Sequence, residues 1–321
     1  MLIMKNELVV KDTVLINASY NLEVTEQRLI LLAIINARQT GKGITADCKL
    51  EITAHDYASR FDVSNSGAYK ALKNAVLNLF DRQFSFKEAD KKGNLGTVKS
   101  RWVSRIKYID DSATLEITFA PDVVPLITRL EQHFTSYQLK QVTQLTGKYA
   151  IRLYELLIAW REIGKVPQIE LSEFRNNLGV ETDEYIRMSD FKMRVLDPSI
   201  DQINKHTDIT VTYEQHKKGR TITGFSFRFK QKPQTKKTET KRDPSTVDMF
   251  CNLSDSQINT YSSVLSKVHS ISDLAGNKDY QAFAIWIANI LRDPSSVREE
   301  IAKRIFKALQ TETDFKKGLS K

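Results

Sequence analysis

The strongest constraint on this chain is that it carries one pattern twice. Advancing by 117 residues superimposes Ile52 on Ile169, Tyr57 on Phe174, Phe61 on Leu178 and Val63 on Val180, so EITAHDYASRFDV and PQIELSEFRNNLGV share one apolar spacing. Each reads as a short strand running into a helix. Advancing by 124 superimposes Tyr69, Leu72, Val76 and Leu79 on Met193, Leu196, Ile200 and Ile203, and the difference of seven residues falls in the intervening turn. Upstream, Arg38, Gly41 and Lys42 fall on Arg161, Gly164 and Lys165. Each set closes a long apolar helix, EQRLILLAIINAR in one copy and YAIRLYELLIAWRE in the other, with Gly41-Lys42-Gly43 as a helix-ending turn. The duplicated order is long helix, short strand, helix, turn, helix.

Alternating strand sequence follows the last helix of each copy. In the first, strands are broken by Lys91-Lys92-Gly93-Asn94 and by Asp110-Asp111-Ser112, both turn signals. In the second, Ile209, Val211 and Tyr213 share a face, Lys217-Lys218-Gly219 turns, and Phe225, Phe227 and Phe229 return. Ile222 is out of phase with those phenylalanines, which a bulge at Gly224 produces. A helix-turn-helix followed by a hairpin is the winged-helix arrangement. The fold class is therefore α+β, two tandem winged-helix domains related by internal duplication.

From Gln231 to Val247 the chain is rich in Lys, Thr and Pro and nearly devoid of apolar residues, so it reads as a flexible basic linker. Beyond it, SDSQINTYSSVLSKVHSI, DYQAFAIWIANIL and SSVREEIAKRIFKALQ have helical spacing, the first and third with Ser or Asp caps. They make a small helical C-terminal module. The predicted boundaries are 8–132, 133–230, 231–247 and 248–321. The module is either tethered and free to search its surroundings or docked on the winged-helix pair through residues such as Phe283, Trp286 and Ile290.

Charge locates the working face. The formal charge is +9 over 321 residues, which suits a polyanionic partner. Between Arg187 and Lys232, ten Lys or Arg stand against five Asp or Glu, a net of +5 and more than half of the total. In helix-turn-helix proteins the second helix enters the DNA major groove by its N-terminal residues, and that helix here opens with Lys192 and Arg194. Leu196, Ile200 and Ile203 form its core stripe with Val195 at the margin, Arg194 faces away, and Lys192 points nearer the core. Asp197-Pro198 in its middle reads as a kink, with a capped restart as the alternative. Lys217, Lys218 and Arg220 sit at the tip of the second hairpin, the wing. The first copy offers Lys70 and Lys73 on its second helix, with Lys91, Lys92, Lys99 and Arg101 on its hairpin.

Other chemistries find little support. Nicking initiators need two histidines separated by one residue near a tyrosine, whereas His55, His133, His206, His216 and His269 are scattered. Thr146-Gly147-Lys148 lacks the earlier glycine of a phosphate loop, and Asp110-Asp111 reads as a hairpin turn rather than a metal pair. No catalytic site, metal or cofactor is expected. Cys48 and Cys251 lie far apart and suggest reduced thiols, the apolar run Leu29 to Ile35 is too short to span a bilayer, and a cytoplasmic setting follows. Trp102, Tyr108, Tyr154 and Trp160 read as core, and Arg152, Glu155 and Arg161 as surface or interdomain ion pairs.

LINASYNLEVTEQRLILLAI, GKYAIRLYELLIAWR and RVLDPSIDQINKHTDITVTYEQHKKGRTITGFSF closely resemble the initiator replication proteins of theta-replicating bacterial plasmids, the iteron-binding RepB, RepE and π type. The similarity runs from about Val9 to Lys230. It implies binding to repeated origin sequences on double-stranded DNA, repression of the protein's own gene by a dimer made through the first domain, and a plasmid-encoded bacterial origin. It carries base reading onto Arg187, Ser189, Lys192 and Arg194, and suggests a host initiator or helicase as a further partner. A transcriptional regulator acting only at an operator is the alternative.

Overall fold

The computed structural model describes residues 7–40, 45, 47–128, 134–233, 253–276, 278–313 and 315. The first unit runs β1 (Leu8–Asp12), α1 (Thr13–Asn17), β2 (Ser19–Tyr20), α2 (Val24–Thr40), β3 (Leu50–Thr53), α3 (Ala54–Phe61), α4 (Asn65–Asn78), β4 (Gln83–Ala89), β5 (Leu95–Arg101), β6 (Val103–Ile109), β7 (Thr114–Phe119), α5 (Val123–Thr128) and β8 (Phe134–Gln138). The turn expected at Gly41-Lys42-Gly43 and the boundary expected at 132/133 lie outside the described residues. α2 is buried from Leu29 to Ile35, as a helix apolar on every side must be. Thr53 caps α3 by accepting from the Asp56 amide, and Ser64 caps α4 through the Gly67 amide, each hydroxyl satisfying an otherwise orphaned amide.

The second unit repeats this with α6 (Lys148–Ile158), β9 (Lys165–Glu170), α7 (Leu171–Leu178), α8 (Met188–Phe191), a π-helical turn (Lys192–Leu196), α9 (Asp197–His206), β10 (Ile209–Lys218) and β11 (Thr221–Gln231). α7 follows α3 at the offset read from sequence. Both helices end on a left-handed residue, Asp62 (φ 51°) and Gly179 (φ 74°). Only glycine serves at the second position: a Cβ there would lie 2.0 Å from the Tyr20 carbonyl oxygen.

Sheet topology corrects one part of the sequence reading. The second unit's sheet has the order β10-β11-β9, and its counterpart in the first unit is β3-β7-β6. The first unit's wing is therefore β6–β7, turning at Asp110–Ala113. The hairpin β4–β5, which holds Lys91, Lys92, Lys99 and Arg101, is an insertion paired to β2. In the second wing Gly224 pairs with His216 and Ile222 with Lys217, leaving Thr223 as the bulge residue. Gly224 is needed beside it, because a Cβ would stand 2.2 Å from the Ile169 carbonyl oxygen.

The two units share one hydrophobic core, and a buried ionic cluster pins them together. Arg152, 1% exposed, donates from Nη1 to Tyr20 Oη (2.5 Å) and Glu155 Oε2 (2.7 Å), and from Nη2 to the carbonyls of Ile16 (2.9 Å), Ala18 (3.0 Å) and Asn177 (2.9 Å). Lys11 Nζ and Tyr137 Oη each donate to Glu155 Oε1 at 2.6 Å. Burial pushes the Glu155 carboxyl up, but the charges of Lys11 and Arg152, with hydrogen bonds from Lys11 and Tyr137, outweigh it and hold the group at about 2. Of the two readings, surface or interdomain, this i, i+3 pair is interdomain, and its burial makes it far from the weak contact such spacing commonly gives. Arg161, by contrast, makes a half-exposed bridge to Asp208 at 3.3 Å. Trp102 and Tyr154 are buried and Tyr108 half-buried, whereas Trp160, at the end of α6, is 37% exposed and is not core.

The second unit extends past the expected start of the linker: Gln231 pairs with Ile209, and Lys232 Nζ donates to the Asn204 and Thr207 carbonyls at the end of α9. Residues 234–247 lie outside the described residues. The C-terminal module comprises α10 (Asp255–Leu265), α11 (Tyr280–Arg292) and α12 (Glu299–Glu312) around Leu265, Phe283, Ile287, Ile305 and Leu309. Ser254 and Gln257 form a capping box on α10, and Asp279 caps α11. α12 departs from the expected Ser cap, since its N-cap is Arg298 and Pro294–Ser296 forms a separate 3-10 turn. The module docks on α2, where Asn289 Nδ2 donates to the Arg38 carbonyl at 3.2 Å. Beside that contact lies a cavity of about 230 Å³, walled by Arg38 and Thr128 on one side and Asn259, Ser262, Ser266 and Ile285 on the other.

Candidate nucleic-acid interface

The second helix of the second unit is one rod from Met188 to His206, anchored by Phe191, Val195, Leu196, Ile200 and Ile203. Pro198 neither restarts it nor breaks it. Asp197 keeps helical dihedrals (φ −63°, ψ −45°) and makes no capping bond; the π turn just before Pro198 absorbs the missing amide. Side chains fix the rod's placement. Gln202 Oε1 accepts from the Thr146 and Gly147 amides at 2.8 and 3.1 Å, which covers the start of α6. Asn204 bonds both ways with Val211 at the root of the wing.

The wing is tied to the same helix. Tyr213 Oη donates to Asp197 Oδ1 at 2.7 Å, and burial together with that carboxylate pushes the phenol up. Lys192 Nζ lies 5.6 Å from the Tyr213 ring centroid, a cation–π contact that orients the ammonium. Behind them Phe174 meets Phe225 and Phe227 at 5.7 and 5.4 Å.

The turn before the helix is held by one guanidinium. Arg175 donates to the carbonyls of Tyr185 (3.1 Å), Glu181 (3.3 Å) and Glu184 (2.5 Å) and lies over the Phe191 ring. Tyr149 Oη bonds Glu184 as well. Tyr185 sits at φ 46°, a conformation that non-glycine residues adopt at a cost.

Around this frame, Arg187, Ser189 and Arg194 are exposed at the leading end of the helix and Lys217, Lys218 and Arg220 at the wing tip. Their side chains make no hydrogen bond or ion pair among the described residues, so the cations point to solvent. Helix and wing are joined through Tyr213. In the first unit Lys70, Lys91, Lys92 and Lys99 are likewise exposed and unpaired. Lys73 bonds Asp110 at 3.3 Å, and Arg101 bonds Asp81 at 3.1 Å while covering Phe80. Lys73 thus faces the first wing's turn, whereas the inserted hairpin carries Lys91, Lys92, Lys99 and Arg101 elsewhere. Lys107, exposed on β6, lies on that wing and was missed in sequence because the inserted hairpin resembles a wing locally. Among the described residues no group of three His, Cys, Asp or Glu is arranged to hold a metal ion, and no helix is long and apolar enough to cross a membrane.

Fold and surface define a tandem winged-helix protein whose second unit presents an unpaired cationic helix and wing. Residues 8–158 match the family described as Initiator Replication protein, WH1, and residues 170–229 match Initiator Rep protein, WH2. The chain belongs to this family of replication initiators. An uncharacterized 27.6 kDa protein of Escherichia coli is 24% identical over 227 residues, covering 68% of this chain and 93% of its own. The crystal structure of Pi initiator protein in complex with iteron DNA is similar in fold, with a TM-score of 0.55 and 22% identity over 72% of this chain and 100% of that one. The WH1 domain of MSBI1.176, a replication protein isolated from a multiple sclerosis patient, is 54% identical over 34% of this chain and 81% of that domain, with a TM-score of 0.30.

Proposed function

We propose that this chain initiates plasmid replication by binding repeated origin sequences on double-stranded DNA, with the second unit reading bases and the first adding affinity. The observation that carries this is the set of partner-free cations at the start of α8 and at the wing tip, held on a frame that Arg175, Gln202, Asn204 and Tyr213 make rigid. A preorganised cationic helix fits the major groove, and a cationic hairpin beside it reaches phosphates. Arg187, Ser189, Lys192 and Arg194 are the base readers in this reading, Lys217, Lys218 and Arg220 the phosphate contacts of the wing, and Lys70, Lys73, Lys91, Lys92, Lys99 and Arg101 auxiliary contacts. Residues 8–132 also provide the surface for a dimer that represses the protein's own gene, and a host initiator or helicase is a further partner.

Footprinting across the DNA flanking the gene tests this. Protection of direct repeats spaced by about two helical turns supports an initiator, and protection of a lone inverted repeat supports an operator-only regulator. The protein acts in the cytoplasm, without metal, nucleotide or strand cleavage. Supercoiled origin plasmid incubated with it and Mg²⁺ stays intact, and a covalent adduct on any tyrosine refutes that.

A further inference from the structure

Two large apolar side chains stand in water next to the exposed cations of the second unit's helix, Ile186 beside Arg187 and Met193 beside Arg194. Ile186 is 79% exposed and Met193 is 59% exposed. Ile186 lies in the turn and Met193 in the helix, with Ser189, also exposed, between them in the chain. The fold holds Ile186 out at a cost: the strained Tyr185 immediately precedes it, and Arg175 locks the turn through three carbonyls. Met193 is also the counterpart of Tyr69 in the duplication, and Tyr69 is itself 36% exposed on α4. Tyr69, however, packs on Tyr108 and donates to Asp110 Oδ1, so its face is used within the first unit.

Cations alone suit any phosphate backbone. Exposed apolar atoms beside them suit a partner that offers apolar groups next to anionic ones. The major groove offers that combination, since the thymine C5-methyl is the apolar group a side chain meets there. The thioether of methionine is polarizable and adapts to such a contact. We propose that Ile186 and Met193 are specificity determinants that read thymine methyl groups, each packing on a methyl in the bound site while Arg187 and Arg194 contact the bases and phosphates beside it. This rests on the DNA-reading function proposed above.

The test uses the full chain and duplexes selected from a randomised pool, with each thymine of the selected site replaced singly by uracil, which removes the methyl and nothing else. Replacement at one or two positions weakens wild-type binding by about three- to ten-fold, as expected for losing burial of one methyl group. Ile186→Ala or Met193→Ala abolishes the thymine–uracil difference at one of those positions while keeping the preference for the rest of the site, and Met193→Leu restores it. Both positions are exposed, and melting temperatures equal to wild type verify that the variants are folded. A selected site at which uracil has no effect anywhere, or an effect that both alanine variants retain, overturns the proposal and leaves DNA reading intact. A change in the oligomeric state of the DNA-free variants with an unchanged uracil effect assigns these side chains to protein contact and also overturns it. Failure to enrich any sequence removes the underlying function instead.

Discussion

Replacing Arg152 by methionine keeps much of the side chain's volume and removes the guanidinium that joins the two units. Three backbone carbonyls, on Ile16, Ala18 and Asn177, lose their donor, and Glu155 keeps Lys11 as its sole cationic partner. A buried acceptor without a donor costs about 1–3 kcal/mol, and removing one member of a buried ionic cluster costs about 3–5 kcal/mol. The terms overlap, so the expected loss is about 3–5 kcal/mol, measured from the midpoint of urea unfolding. Arg161→Ala is the control, because its bridge to Asp208 is partly exposed and should contribute at most about 1 kcal/mol. An Arg152→Met protein within about 1 kcal/mol of wild type refutes the claim that this cluster fixes the two units together.

The same cluster predicts an acid response. Glu155 is held at about 2 against an ordinary 4.5, so its contribution is present above pH 4.5 and is lost as pH falls toward 2; melting temperatures should drop more steeply across that window in wild type than in Glu155→Gln. A chain ending at Lys232 loses the contact of α11 with α2, and its melting temperature should fall by a few degrees, about 2–4 °C for each kcal/mol. An unchanged melting temperature with intact DNA binding returns the module to the role of a free tether.

Much of this architecture is legible in the chain itself. The offset that aligns Phe61 with Leu178 locates α3 and α7 because short helices ending on a left-handed residue leave a fixed local pattern, and the bulge near Gly224 follows from the phase of Ile222. What sequence hides is choice of partner. β4–β5 and β6–β7 carry equivalent alternation and turn signals, and only the long-range pairing of β7 with β3 reveals which is the wing. Arg152 and Glu155 have the spacing of any surface pair; the signal that they are buried is the apolar surround of α6, in which every residue from Tyr149 to Ile158 is buried. A wheel of 3.6 residues per turn puts Met193 one turn ahead of Leu196 on the core stripe, but the π turn from Lys192 to Leu196 shifts the register and Met193 is exposed.

Base reading by the second unit is tested most directly with Arg194→Ala, by measuring its affinity for an origin repeat and for a scrambled duplex at one salt concentration. Arg194 is exposed, makes no intramolecular bond among the described residues and lies outside the core, so the substitution leaves the fold unchanged. A loss of about 1–3 kcal/mol on the repeat is expected, with scrambled DNA almost unaffected. An equal loss on both duplexes contradicts base reading and places Arg194 on the phosphate backbone.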